Sequence, residues 1–238
     1  MILLNTQLKN IKVISFDLDD TLYDNSEVIR LAEQECVGFL AKSAQLTNFN
    51  LEQWHQWKKR IFQQDPIFCE NVTAWREQTI RELLTTEGKS AVEIEQISAA
   101  TMQHFIDYRH RIDVPPQSIE ILNQLKQQFS LSVITNGNVT PSKIGFNQFE
   151  LVLCGGVQGR AKPHKDLFAQ TAAHFNVELS EILHVGDNLI TDVHGAIQAG
   201  CQAVWLNLSE QSFEDFEEKG ELPTVEINDL VDLLRLLE

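Results

Sequence analysis

The chain reads as a doubly wound, mainly parallel α/β sheet with an all-helical domain inserted after its first strand. Three observations predict this. Short apolar runs recur at residues 13–16, 131–135, 149–153, 182–185 and 203–206, and the last three are separated by helical stretches. Between about residues 24 and 112 the apolar positions follow helical spacing instead. Pro115-Pro116 then marks the return to alternating strands and helices.

The first strand belongs to the segment IKVISFDLDDTLYDN, residues 11–25. Val13, Ile14 and Phe16 form an apolar run that stops at Asp17, Asp19 and Asp20. A run ended so sharply by polar residues suits a strand buried on both faces. Its carboxyl end is where open α/β sheets place their sites. Side chains alternate along an extended segment, so Asp17 and Asp19 should share a direction and Asp20 should oppose them. Two like charges this close repel unless a cation or a proton compensates them.

The insertion contains four helical stretches. Residues 26–44 carry Val28, Leu31, Ala32, Cys36, Phe39 and Leu40 at helical spacing, and Asn25 or Ser26 can cap the start. Residues 51–63 follow, ended by Asp65-Pro66. Residues 71–86 precede Gly88, a helix stop. The fourth stretch opens with the capping-box pattern Ser90-Ala-Val-Glu93 and runs through Ile94, Ile97, Thr101, Phe105 and Tyr108. These stretches predict a helical domain over 24–112, with residues 1–23 and 113–238 forming the core. Trp54, Trp57 and Trp75 lie in the insertion and read first as bundle core, second as surfaces for stacking a planar ligand.

Beyond the proline pair, residues 117–128 read as a helix and 131–135 as a strand ending in Thr135-Asn136-Gly137. After the 149–153 strand, Lys162 stands in GRAKPHKDLF, with a helix over 163–175 whose first turn suits Pro163. The 182–185 strand leads into Gly186-Asp187 and, five residues on, Asp192. Residues 224–227 read as an edge element and 229–237 as a closing helix. The acidic stretch 209–221 reads as a solvated loop. His184 and His194 read as packing or exposed positions.

The totals restrict the function. A formal net charge of −15, from 34 acidic and 19 basic residues, argues against nucleic acid or an anionic membrane as partner. Four widely spaced cysteines without a CxxC pair disfavour a disulfide scaffold or zinc site and suit a reducing compartment. The first residues are too short in their apolar part for a signal peptide, and no apolar run of roughly 18 residues is present. A cytoplasmic protein is expected. Protein partners are left open.

FDLDDTL resembles the first motif, DxDxT, of the haloacid dehalogenase-like hydrolase superfamily, and the other three motifs occur in order. The resemblance implies a Rossmann-like core with a helical cap between the first and second motifs. It implies Asp17 as nucleophile and Asp19 as general acid/base. Mg2+ would be held by Asp17, Asp187 and the backbone carbonyl of Asp19, while Thr135, Asn136 and Lys162 bind the phosphoryl group. Asp192 would orient Lys162 or a metal-bound water. His164-Lys165 stand where relatives often have Asp-Pro, outside the chemistry. HVGDNLITDVHGA and GCQAVWLN are similar to bacterial phosphatases of flavin mononucleotide and other riboflavin-pathway phosphates. The expected function is a Mg2+-dependent phosphomonoester hydrolase for a small phosphorylated metabolite. The alternatives are a nucleotide monophosphatase, a sugar phosphomutase, a dehalogenase or, from a different class, a non-catalytic binding protein on the same scaffold.

Overall fold

Val13, Ile14, Ser15 and Phe16 are all fully buried, as a central strand of a two-layered sheet requires. The computed structural model describes residues 2–209, 211–217 and 220–237. The chain divides into two compact units, one formed by Met1–Tyr23, Asp113–Gly137 and Gly145–Glu238, the other by Asp24–Ile112 and Asn138–Ile144.

Among the described residues, the first unit holds seven strands. They are β1 (Ile2–Leu4), β2 (Val13–Phe16), β3 (Ser130–Thr135), β4 (Leu151–Cys154), β5 (Ile182–Gly186), β6 (Gln202–Leu206) and β7 (Val225–Ile227). Their order is β1-β7-β6-β5-β2-β3-β4, parallel except for the β1–β7 pair. From β2 the chain builds outward first through β3 and β4, then on the other side through β5, β6 and β7. β2 therefore sits at the switch point, beyond whose carboxyl end such sheets bind ligands.

The edge differs from the expected one. β7 lies between β6 and β1, so residues 225–227 are interior, and Ile2–Leu4 supply the antiparallel edge. Nothing local in MILLN marks an edge strand; its partner is more than 200 residues away in sequence. The acidic loop also carries more structure than a solvated one. Phe213 and Phe216 flank a short 3-10 turn and pack edge-on against Trp205, 6.4 and 5.6 Å away between ring centroids.

The second unit is built from α1 (Ser26–Ala44), α2 (Leu51–Gln64), α3 (Val72–Thr86) and α4 (Ala91–Arg109). Asn50 and Ser90 form full capping boxes, and Asn71 accepts from the Ala74 N–H. Val37, Leu40, Ala44, Trp54, Ile80, Leu83, Leu84 and Met102 make the core. Trp54 is completely buried, with its indole N–H donating to Glu33 at 3.0 Å, so it is bundle core and not a ligand surface. Glu33 also pairs with Arg76 and Lys58, whose charges outweigh the cost of burial and bring its carboxyl down to about 2. Trp57 and Trp75 are only half-buried; the Lys58 ammonium lies 4.3 Å above the Trp75 ring. Asn138–Ile144 join this unit through Asn138, which donates to Thr73 Oγ1 and accepts from the buried Arg109 Nε.

Candidate active site

Asp17 is the first residue beyond β2, and its N–H donates to the Val185 carbonyl of β5. The alternation that buries Phe16 against the opposite layer points Asp17 to the same side as Ser15. Lys162 arrives from the loop after β4. Its ammonium donates to Asp17 Oδ1 at 2.7 Å and to Asp192 Oδ1 at 2.5 Å, and its side chain is 1% exposed.

The segment just after this lysine, residues 163–165, is not helical, contrary to expectation. Helix α5 covers Pro116–Leu125; α6 spans Asp166–Phe175, and Pro163 precedes it by three residues. Residues 161–164 form a turn closed by His164 N–H to Ala161 O at 2.9 Å, and Asp166 accepts from the Arg160 N–H. A helix begun at Pro163 would forgo that turn. The turn is braced by Asn136, whose side chain donates to the Lys162 carbonyl at 2.8 Å and accepts from the Lys162 N–H at 2.9 Å. This bracing role of the Asn136 amide is absent from the motif reading, which used only its backbone.

Asp187 follows β5, and Asp192 sits in the π-helical turn Leu189–His194 that continues into α7 (Gly195–Ala199). Asn188 caps this turn through the Ile190 and Thr191 N–H groups, while its own N–H donates to Asp192 Oδ2 at 3.0 Å. A Cβ at Gly186 would collide with the Asp192 carboxylate, so glycine is what lets the turn fold back. Thr21 Oγ1 donates to Asp187 Oδ1 at 3.2 Å, and the Trp205 indole N–H to the Asp187 carbonyl at 2.8 Å.

Asp17, Asp187 and Asp192 thus each bring a carboxylate oxygen within 4.8 Å of the others. Burial pushes the Asp17 carboxyl up to about 7, against the pull of Lys162. Burial and the nearby Asp192 charge push Asp187 up to about 6. Burial also opposes the charges of Asp192 and Lys162, but each outweighs it for the other: Asp192 is held well below the usual carboxylate range and Lys162 is raised. Lys162 and Asp192 are therefore a committed ion pair, and Asp17 is the carboxylate left under strain. Three carboxylates facing one ammonium leave about two negative charges to neutralise, which suits a divalent cation with oxygen ligands.

Asp19 lies outside that carboxylate cluster. Its Oδ1 accepts from the Tyr23 hydroxyl at 2.7 Å. A Cβ on Gly137 would lie 2.6 Å from Asp19 Oδ2 and 3.2 Å from Thr135 Oγ1, so Asp19 and Thr135 converge on this glycine. Thr135 Oγ1 itself accepts from the Gly137 N–H at 2.9 Å. Asp20 adopts a positive φ of 60° and closes the turn through its N–H to Tyr23 O. The candidate residues from β2, β3, the loop after β4 and β5 thus gather at neighbouring strand ends.

Residues 11–200 match the family described as haloacid dehalogenase-like hydrolase. The chain belongs to this family. It is 38% identical to the Escherichia coli 5-amino-6-(5-phospho-D-ribitylamino)uracil phosphatase YigB, over 97% of this chain and 98% of that one. The E. coli pyrimidine 5'-nucleotidase YjjG is 30% identical over 56% of this chain and 61% of its own. Among solved structures, a protein titled 2-haloacid dehalogenase from Pseudomonas syringae superposes with a TM-score of 0.88 at 31% identity, over 95% of this chain and 98% of that one. The family member described above is thus a hydrolase, and its full-length E. coli relative is a phosphatase. Among its described residues no helix is long and apolar enough to cross a membrane.

Proposed function

We propose that this hydrolase is a Mg2+-dependent phosphatase for 5-amino-6-(5-phospho-D-ribitylamino)uracil or a closely related small phosphorylated metabolite. The observation that carries the reading is Asp17 gripped by buried Lys162, with a second carboxyl, Asp19, two residues further on. Identity of 38% along the full length to a phosphatase of that metabolite supports the substrate. In this reading Asp17 attacks phosphorus and the ester P–O bond breaks, leaving an aspartyl-phosphate. Asp19 protonates the departing oxygen, then takes a proton from the water that hydrolyses the acyl phosphate. Lys162, the Thr135 hydroxyl and the Asn136 N–H bear on the phosphoryl oxygens. Asp17, Asp187 and the Asp19 carbonyl would hold Mg2+, which when bound supplies charge that offsets the phosphate dianion.

A panel of phosphometabolites, assayed with and without Mg2+, tests this. The pyrimidine phosphate should be turned over best, ahead of flavin mononucleotide and nucleoside monophosphates; equal rates throughout would remove the substrate assignment. The likeness to a structure titled dehalogenase supports a second reading. It needs no acid two residues after the nucleophile, and here Asp19 is present and held by Tyr23. Release of halide from a 2-haloacid, with no phosphate from any phosphomonoester, would establish it instead.

Asp19→Asn should slow an alkyl phosphate about 10²–10⁴-fold and an aryl phosphate far less, because a basic alkoxide needs the proton more. Equal losses on both would leave Asp19 without an acid role.

Metal binding should depend on pH with a definite sign. Burial raises the folded-state pKa of Asp17 and Asp187, so both carry protons at pH 5 that a cation must displace. The gain in melting temperature from Mg2+ should be small at pH 5 and grow as pH rises through about 6 to 7. A gain unchanged from pH 5 to pH 8 would exclude these carboxylates as the ligands.

Selectivity is assigned to the helical unit as a cap, since a phosphate site at strand ends holds little of the leaving group. The four cysteines are free thiols, as suits the reducing cytoplasm in which this reading places the enzyme.

A further inference from the structure

Two polar side chains occupy strand interiors that are otherwise apolar. Ser15 on β2 and His184 on β5 are completely buried and face each other directly in the parallel register. Ser15 Oγ lies 2.9 Å from His184 Nδ1, and His184 Nε2 lies 3.3 Å from Asp192 Oδ1. That same oxygen takes the Lys162 ammonium, which also reaches Asp17. A continuous polar path therefore runs Ser15–His184–Asp192–Lys162–Asp17 beneath the strand ends. The ring cannot swing out of it, because Phe168 packs edge-on at 5.2 Å and 88°.

The path has a direction. Asp192 is anionic, so the imidazole nitrogen facing it must carry a proton; a lone pair there would be repelled. Complete burial holds the imidazole below its usual pKa and hence neutral, with one N–H. Nδ1 is then an acceptor, and the hydroxyl opposite it donates. We infer that His184, held as the Nε2–H tautomer between the Asp192 carboxylate and the Ser15 hydroxyl, is a positioning residue that fixes Asp192, and through it the Lys162 ammonium, against Asp17. The Asn188 N–H holds Asp192 Oδ2 and the His184 N–H holds Oδ1, the oxygen that takes the lysine, so the two together resist a rotation about χ2 that would release it. An apolar pair at 15 and 184 would fill the same space without burying three polar atoms, at less cost to folding.

Two measurements test this, and only the second rests on the phosphatase reading. In the Mg2+-free protein, ¹⁵N NMR of the His184 ring should show a pyrrole-type Nε2 and a pyridine-type Nδ1. The reverse tautomer, or a doubly protonated ring at pH 7, overturns the inference. Ser15→Ala leaves in place the carboxylate that selects the tautomer, so Nε2 should stay pyrrole-type; a mixture of tautomers overturns the inference. In steady-state assays, His184→Leu should lower kcat about 10–100-fold with KM within about twofold, while His184→Gln, whose amide N–H can reach Asp192, recovers most of kcat. Wild-type kcat in the Leu variant, or equal losses in Leu and Gln variants of equal melting temperature, overturns it. Should the wild type hydrolyse no phosphomonoester, the proposed function fails while the spectrum still decides the tautomer.

Discussion

Asp17→Asn should abolish turnover, by roughly 10⁴-fold or more, and should not lower the melting temperature. The loss follows from chemistry: a carboxamide is a poor nucleophile toward phosphorus and a poor ligand for a hard cation. The unchanged or raised stability follows from the site's electrostatics. Burial raises the Asp17 pKa to about 7, far above the 3.8 of a free aspartate. A carboxyl whose pKa is raised by folding binds protons more tightly folded than unfolded, so it destabilises the fold as pH rises through that range. At pH 8 without Mg2+ a neutral Asn relieves this cost, and Lys162 keeps Asp192 as its partner. Circular dichroism melts at pH 8 in chelator, beside kcat in Mg2+, check both halves. Turnover above about 1% of wild type would rule out Asp17 as the nucleophile.

Lys162→Met should damage activity and stability together. The side chain is 1% exposed and stands between two carboxylates, so a methionine of similar length fills the space but leaves Asp17 and Asp192 facing each other with no cation. Removing one partner of a buried ionic group costs about 3–5 kcal/mol. For a chain of this size that corresponds to a fall of roughly 6–20 °C in melting temperature. The deficit should shrink toward pH 5, where one of the two carboxyls takes up a proton. The loss of kcat should reach about 10³-fold, since a fixed charge beside the developing phosphoryl charge is gone. The double variant Lys162→Met/Asp192→Asn separates the effects: it should recover most of the stability and none of the activity. Recovery of neither would mean that Lys162 supports the fold by packing alone.

These outcomes rest on an arrangement only partly legible in the chain. The apolar runs at 13–16, 131–135, 182–185 and 203–206 become parallel strands β2, β3, β5 and β6 because burial on both faces needs continuous apolar residues, a local property. The helices of the insertion are equally readable, since 3.6-residue spacing and the capping pair at Ser90 act within one element. Asp17, Lys162 and Asp187 could be picked out because each follows or neighbours such a run at a strand end. Local signals mislead where a distant group decides. Pro163 is a good helix starter, yet the bonds between Asn136 and Lys162 hold that segment as a turn. Residues 225–227 look like an edge until Ile2–Leu4 pair beside them. Phe213 and Phe216 lie in an acidic stretch, yet Trp205 gives them a surface to cover.

The sequence by itself therefore determined most of the elements, the strand at whose carboxyl end the first carboxylates stand and the residue types that the chemistry requires. Tertiary structure alone decided which carboxylate carries which charge. Asp17, Asp187 and Asp192 are the same side chain in a string of letters, but burial and the placing of one ammonium push two of them up and the third down. Ser15 and His184 did leave a signal, a polar residue inside each of two apolar strands, but its meaning depends on register. Only when β2 lies against β5, with Ser15 opposite His184, do two isolated exceptions become one path to the lysine. Charge state and hydrogen-bond direction are properties of distance and dielectric, and neither exists until the chain is folded.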